Sequence, residues 1–129
     1  MENNAFQRTI GLIGIDNFNN IQNKTICIIG LGGVGGTCFE SLLRTGFRHF
    51  SIVDFDKVSL SNLNRQIIAT HSTIGKYKVD VMKNRILDIY PECKVNTLKL
   101  FFDENSNLDI SNYHYIADAS DSVSSKICL

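Results

Sequence analysis

The residues of this chain that could do chemistry gather in a few places. Gly30-Leu31-Gly32-Gly33-Val34-Gly35 clears side chains from a turn, and Asp54-Phe55-Asp56 sets two carboxylates beyond it. The segment Asn62 to Arg65 adds amides and a guanidinium, Lys78 and Lys76 add ammonium groups, and Asp118 or Asp121 adds a further carboxylate. Glycines let backbone N–H groups close on a phosphate, and an acid about 20 residues downstream can accept ribose hydroxyls. In that chemistry Gly30, Gly32, Gly33 and Gly35 cradle a nucleotide, with Asp54 and Asp56 beside it. Arg65 and Lys78 would neutralise phosphate charge, and Asp121 would hold magnesium. Such a set suits a nucleoside triphosphate whose α-phosphate is attacked in line by a carboxylate while pyrophosphate leaves. Hydride transfer has little use for the added cations. Taken singly, each charge also reads as a solvated surface residue, Asp56 most readily; His49 ends the turn before the second strand, and His71 reads as bland with a ligand contact left open.

Elements must bring these groups to one place, and the hydrophobic pattern supplies them. Lys24–Ile29, built on the apolar segment Thr25–Ile29, reads as a first strand, and a helix from Val34 or Gly35 carries Cys38, Leu42 and Leu43 on one stripe until Gly46 stops it. Phe50–Val53 is a second strand, whose mainly apolar composition fits a sheet covered on both faces. Lys57–Ser72 has no clean period and reads as a functional loop. Val79, Met82, Ile86 and Ile89 trace a helix over Lys78–Tyr90 that Pro91 ends; Val95 to Leu100 alternates as a third strand, and Tyr113–Ala119 reads as a fourth. Residues 1–23 read as an arm with one short helix, on which Phe6, Ile10 and Ile13 recur, followed by an Asn- and Asp-rich loop.

The expected fold class is α/β: the N-terminal portion of a Rossmann-like, doubly wound parallel sheet, with strand order 3-2-1-4 from right-handed crossovers. Residues 24–129 would form this nucleotide-binding domain, truncated just where the helix after strand four should begin. Strand C-termini converge on one edge of such a sheet, so order alone directs the glycine turn, Asp54, Asp56, the Asn62–Arg65 loop and Asp118 or Asp121 to a common site. An uncovered sheet edge implies self-association.

Composition narrows the class. The 129 residues carry 13 Lys and Arg against 13 Asp and Glu and are 43% hydrophobic, which suits one domain with a core and offers no general attraction to nucleic acid. No apolar run approaches the roughly 18 residues of a transmembrane span, and Asn3, Asn4, Asn17, Asn19 and Asn20 break any signal sequence, so the expected location is the cytoplasm. Cys27, Cys38, Cys93 and Cys128 form no CxxC pair, which argues against zinc and a redox dithiol; Cys27 and Cys38 read as small core residues, and Cys93, after Pro91-Glu92, as an exposed one.

The chain resembles the adenylating family that includes ThiF, MoeB, HesA and the ubiquitin-activating enzymes. The likeness rests on Arg8-Thr9-Ile10, the glycine run, Asp54-Phe55-Asp56, Ser61-Asn62-Leu63-Asn64-Arg65-Gln66, Gly75 with Lys78, and Asp118-Ala119-Ser120-Asp121. Further wording, Arg44-Thr45-Gly46, His71-Ser72-Thr73-Ile74-Gly75 and Val81-Met82-Lys83-Asn84-Arg85-Ile86, resembles the branch that dehydrates threonylcarbamoyladenosine in tRNA. What the resemblance implies is an ATP-dependent enzyme that activates the substrate carboxylate as an acyl-adenylate before cyclisation. It assigns Asp54 to the ribose, Asn62, Arg65 and Lys78 to phosphates, Asp121 to Mg2+, and Arg8 to the partner's active site in a homodimer. It also places Lys126 in the helix after Asp121. Recognition of tRNA would fall mainly to a C-terminal part beyond this sequence.

Three other readings stay open on the residues alone. Activation of the C-terminal glycine of a ubiquitin-like sulfur carrier uses the same nucleotide chemistry and differs only in substrate. An NAD-dependent oxidoreductase would explain the glycines and Asp54 but leave the Asn62–Arg65 loop without work. A non-catalytic nucleotide-binding module would keep the fold and lose turnover.

Overall fold

A computed structural model of the protein describes residues 5–100 and 110–119. The elements are α1 (Gln7–Ile13), α2 (Ile15–Gln22), β1 (Thr25–Ile29), α3 (Gly33–Thr45), β2 (His49–Val53), α4 (Lys78–Ile89), β3 (Lys94–Leu98) and β4 (Tyr115–Asp118), with 3-10 turns at Leu60–Asn62 and Ile110–Asn112. The four strands form one parallel sheet in the order β3-β2-β1-β4, as the crossover rule requires.

Period-two alternation divides the sheet's side chains between its faces. Ile26, Ile28, Phe50 and Ile52 join the main core with Phe39 and Leu43 of α3 and Val79, Met82 and Ile86 of α4. Cys27, Ile29 and Val53 form a smaller cluster with Leu98, Tyr113 and Ile116. The apolar runs of β1 and β2 are thus buried on both faces. Cys93, expected at the surface, is buried: its Sγ donates to the Arg48 carbonyl at 3.1 Å, so the turn after Pro91 folds inward. Cys27 is fully buried and Cys38 half-buried.

The N-terminal segment departs from expectation. The Asn- and Asp-containing stretch is a second helix, α2, because Phe18 and Ile21 supply an apolar stripe and Gly14, at φ 88°, turns the chain between the two helices. Phe6 and Phe18 are buried, with ring centroids 5.4 Å apart, and Phe6 lies 5.1 Å from the Tyr90 ring at the end of α4. Gln22 Nε2 donates to the Tyr90 hydroxyl at 3.0 Å. Gly46 closes α3 at φ 125°, where a Cβ would meet the Phe18 ring at 2.5 Å, so glycine is required there twice over.

Candidate functional site

Parallel register aligns the strand ends. Ile29 pairs with Val53 on one side and Asp118 on the other, and the ladder continues past them: Gly30 N–H donates to the Val53 carbonyl, Ala119 N–H to the Ile29 carbonyl and Asp54 N–H to the Leu98 carbonyl. The glycine turn and the acid after β2 therefore leave the same edge side by side, as the order of elements predicts.

The turn is built to let backbone approach backbone. Gly30 has φ 94°, and a Cβ on Gly35 would run into the Gly30 carbonyl oxygen and stand 3.1 Å from the Ala119 Cβ. Gly32 is the N-cap of α3; no side chain caps that end and no acid occupies its first turn. The first N–H groups of the helix lack intrahelical acceptors, so this end is open to an anion.

Asp54 sits beside the turn rather than free above it. Its Oδ2 accepts the Leu31 N–H at 2.8 Å and its Oδ1 accepts the Asp56 N–H at 2.8 Å. A carboxylate has about four lone-pair positions, so two remain for hydroxyl donors. Asp56 is exposed, and its Oδ2 stands 3.9 Å from Lys78 Nζ. Lys78 is only 5% exposed although it opens α4, where the helix dipole disfavours a cation. A lysine buried at the positive end of a helix, with one long-range carboxylate, is poorly compensated by the protein itself.

The Asn62–Gln66 loop lies across the glycines. A Cβ on Gly33 would stand 3.6 Å from the Arg65 carbonyl oxygen and 3.9 Å from Arg65 Cγ; one on Gly32 would stand 3.9 Å from Gln66 Nε2. Arg65 is exposed, and its Nη1 donates to the Ser61 carbonyl and to Asn64 Oδ1, each at 3.0 Å. Asn62, expected at a phosphate, is buried and builds the loop: its Oδ1 accepts the Ser59 N–H at 2.8 Å, which leaves Nδ2 as its available donor. Gln66 is buried as well, and charge gives no signal for it. Only its place directly after Arg65 hints at the site.

Arg8 is exposed on α1 and makes no hydrogen bond or ion pair among the described residues. Asp118 ends β4 at the same edge as the turn, whereas Asp121 and Lys126 fall outside the described residues, as does Cys128. His71 is exposed in the loop. His49 begins β2 at the opposite edge, where burial and then the charges of Arg48 and Lys94 hold its imidazole below the usual range. Among the described residues no group of three or more His, Cys, Asp or Glu side chains could hold a metal ion, and no helix is long and apolar enough to cross a membrane.

A glycine turn, an acid bonded to it and an arginine loop laid over it, on the C-terminal edge of a parallel sheet, define a nucleotide-binding α/β domain. More particularly, the chain belongs to the ThiF family, whose model matches residues 6–129. It is 42% identical over 126 residues to the tRNA threonylcarbamoyladenosine dehydratase of Bacillus subtilis, covering 96% of this chain and 50% of that protein. The Haemophilus influenzae protein of the same name is 39% identical over 116 residues, covering 88% of this chain and 44% of its own length. The crystal structure of E. coli tRNA N6-threonylcarbamoyladenosine dehydratase, TcdA, in complex with ATP superposes with a TM-score of 0.91 at 37% identity, covering 96% of this chain and 52% of that one. The chain spans about half the length of the relatives it matches.

Proposed function

We propose that the protein binds ATP at the glycine turn and, as an intact enzyme, activates the carboxylate of threonylcarbamoyladenosine in tRNA as an acyl-adenylate before cyclisation. The observation that supports this most is the connected set Leu31–Asp54–Asp56–Lys78, with Arg65 over Gly33. It links the ribose acceptor through Asp56 to Lys78 and lays the stem of Arg65 beside the same glycine turn. The identity to two dehydratases and the ATP complex of a third protein of that name support the choice of nucleotide and substrate.

In this reading Asp54 accepts ribose hydroxyls, the N-terminal N–H groups of α3 receive phosphate oxygens, and Arg65 and Lys78 balance the charge that grows on the departing pyrophosphate. A substrate carboxylate oxygen bonds to the α-phosphorus as the bridge to the β-phosphate breaks. Ring closure then expels AMP, and the net change in the substrate is loss of water. Asp121 would hold the Mg2+ that accompanies ATP, and the ion would add charge neutralisation at the phosphates. Arg8 of a second copy completes the site in a homodimer.

The test is ATP–pyrophosphate exchange by the intact protein, offered either tRNA bearing threonylcarbamoyladenosine or a ubiquitin-like sulfur carrier ending in glycine. Exchange that depends on the modified tRNA is expected. Exchange driven by the carrier alone would transfer the proposal to sulfur-carrier activation, and ATP binding without exchange under either condition would reduce the protein to a binding module.

A further inference from the structure

Gln66 is 6% exposed, and its Oε1 has no hydrogen-bond partner among the described residues. Folded proteins seldom leave a buried amide oxygen without a donor, because its lost hydration is not repaid. The amide is not remote from the candidate site: its Nε2 is the heavy atom nearest the position a Cβ on Gly32 would take. Three side chains thus follow the turn in sequence, Asp54 bonded at Leu31, Gln66 beside Gly32, and Arg65 over Gly33.

We propose that Gln66 is a nucleotide-contacting residue that orients the α-phosphate, its Nε2 donating to a non-bridging oxygen. The inference rests on the ATP reading above. In that reading Asp54 marks the ribose end of the ligand and Arg65 the outer phosphates, so the residue between them meets the phosphorus that joins the two. This is the atom the substrate carboxylate attacks, and fixing one of its oxygens fixes the line of attack. A neutral amide suits the position: it holds the oxygen by a hydrogen bond without adding a third cation, which leaves the excess positive charge at the leaving group. The stranded Oε1 is then the cost of keeping Nε2 toward the turn.

The test compares adenosine, AMP and ATP by calorimetry on the intact protein, alongside thermal melting, for wild type, Gln66→Leu and Gln66→Glu. Gln66→Leu is expected to melt at or above wild type, since it removes a buried unpaired oxygen, and to bind adenosine unchanged. It is also expected to bind AMP and ATP each about tenfold more weakly, the loss anticipated for one hydrogen bond to a charged group. Gln66→Glu, which sets a carboxylate against the phosphate, is expected to lose more. Wild-type affinity of Gln66→Leu for AMP and ATP overturns the proposal and leaves Gln66 a purely structural amide; a loss already present with adenosine overturns it by moving the contact to the nucleoside. Should Gln66→Leu fail to fold, Gln66→Glu and Gln66→Met carry the same comparison. If wild type itself binds neither AMP nor ATP, the nucleotide reading fails first and is seen to fail separately.

Discussion

Lys78 and Asp56 meet twice: the Lys78 backbone N–H donates to the Asp56 carbonyl at 3.0 Å, and the Lys78 ammonium stands 3.9 Å from Asp56 Oδ2. The first contact fixes where α4 begins relative to the end of β2. The second is too long for a good ion pair, and Asp56 is half-exposed, so the buried ammonium gains little from it. Lys78 is therefore a residue whose burial costs stability and whose charge is left available to a ligand.

Replacing Lys78 by methionine keeps most of the buried volume and removes the charge. Lys78→Met is expected to change stability by less than about 1.5 kcal/mol, or to raise it, while weakening ATP binding by about tenfold or more. Asp56→Asn should cost under about 1 kcal/mol and weaken ATP binding less than Lys78→Met does, because the half-exposed carboxylate gives the ammonium little at 3.9 Å. Denaturant unfolding and calorimetry on the two variants check both effects; a Lys78→Met protein that binds ATP like wild type would remove Lys78 from the site.

The glycines of the turn differ in what they exclude. Gly35→Ala drives a methyl group into the Gly30 carbonyl and onto Ala119, both backbone-anchored, so β1, α3 and β4 must all shift. A loss of several kcal/mol, or failure to fold, is expected from overpacking at an unyielding site. Gly33→Ala meets Arg65 only at ordinary contact distance and should cost under about 1 kcal/mol, leaving any loss of ATP affinity to crowding of the phosphate. Circular dichroism melts of the two variants, which differ by one methyl group each, separate packing from binding.

The sheet was legible because its signals are local and repeated. The apolar runs of β1 and β2, the stop at Gly46 and the stripe of Val79, Met82 and Ile86 each state an element, and the crossover rule then orders the strands without any contact information. The charged groups of the site were legible for the same reason: they follow strand ends. What one chain pass does not show is whether a polar group is spent on the fold. Asn62 and Asp54 look free in the sequence, yet Asn62 Oδ1 closes its own loop and both Asp54 oxygens brace backbone N–H groups. α2 was hidden because its asparagines suggest a loop, while Phe18, packed under Gly46 and beside Phe6, outweighs their propensity. Cys93 was hidden in the same way, since its partner, the Arg48 carbonyl, is distant in sequence.

Cys27 and Cys93 make the fold sensitive to alkali. Burial pushes both thiols up from 9.0 to about 12, so between those values the unfolded chain releases protons that the folded chain keeps. The stabilising difference is fully present below pH 9 and is lost as pH rises towards 12, with a slope of up to about 1.4 kcal/mol per pH unit for each thiol. Unfolding free energy is expected to fall between pH 8.5 and pH 10.5 by roughly this slope, and less steeply in a Cys27→Ala, Cys93→Ala double variant. An equal alkaline decline in the variant would assign it to other groups. Under native conditions both thiols should resist alkylation, because neither is exposed nor ionised.

Arg65 offers the sharpest separation of catalysis from stability. Its guanidinium is exposed and, among the described residues, held only by Ser61 and Asn64, while its backbone and stem lie over Gly33. Removing it opens no cavity, so Arg65→Ala should move the melting point little, by about 0.5 kcal/mol or less in stability. If it balances charge developing on the phosphates, the same change should slow ATP–pyrophosphate exchange on the order of 100-fold. Arg65→Lys keeps the charge and loses the planar fork, so it is expected to recover part of the rate. Exchange within threefold of wild type in Arg65→Ala would detach this residue from the chemistry. A large drop in melting temperature would show that the loop over the glycines depends on the guanidinium for its shape.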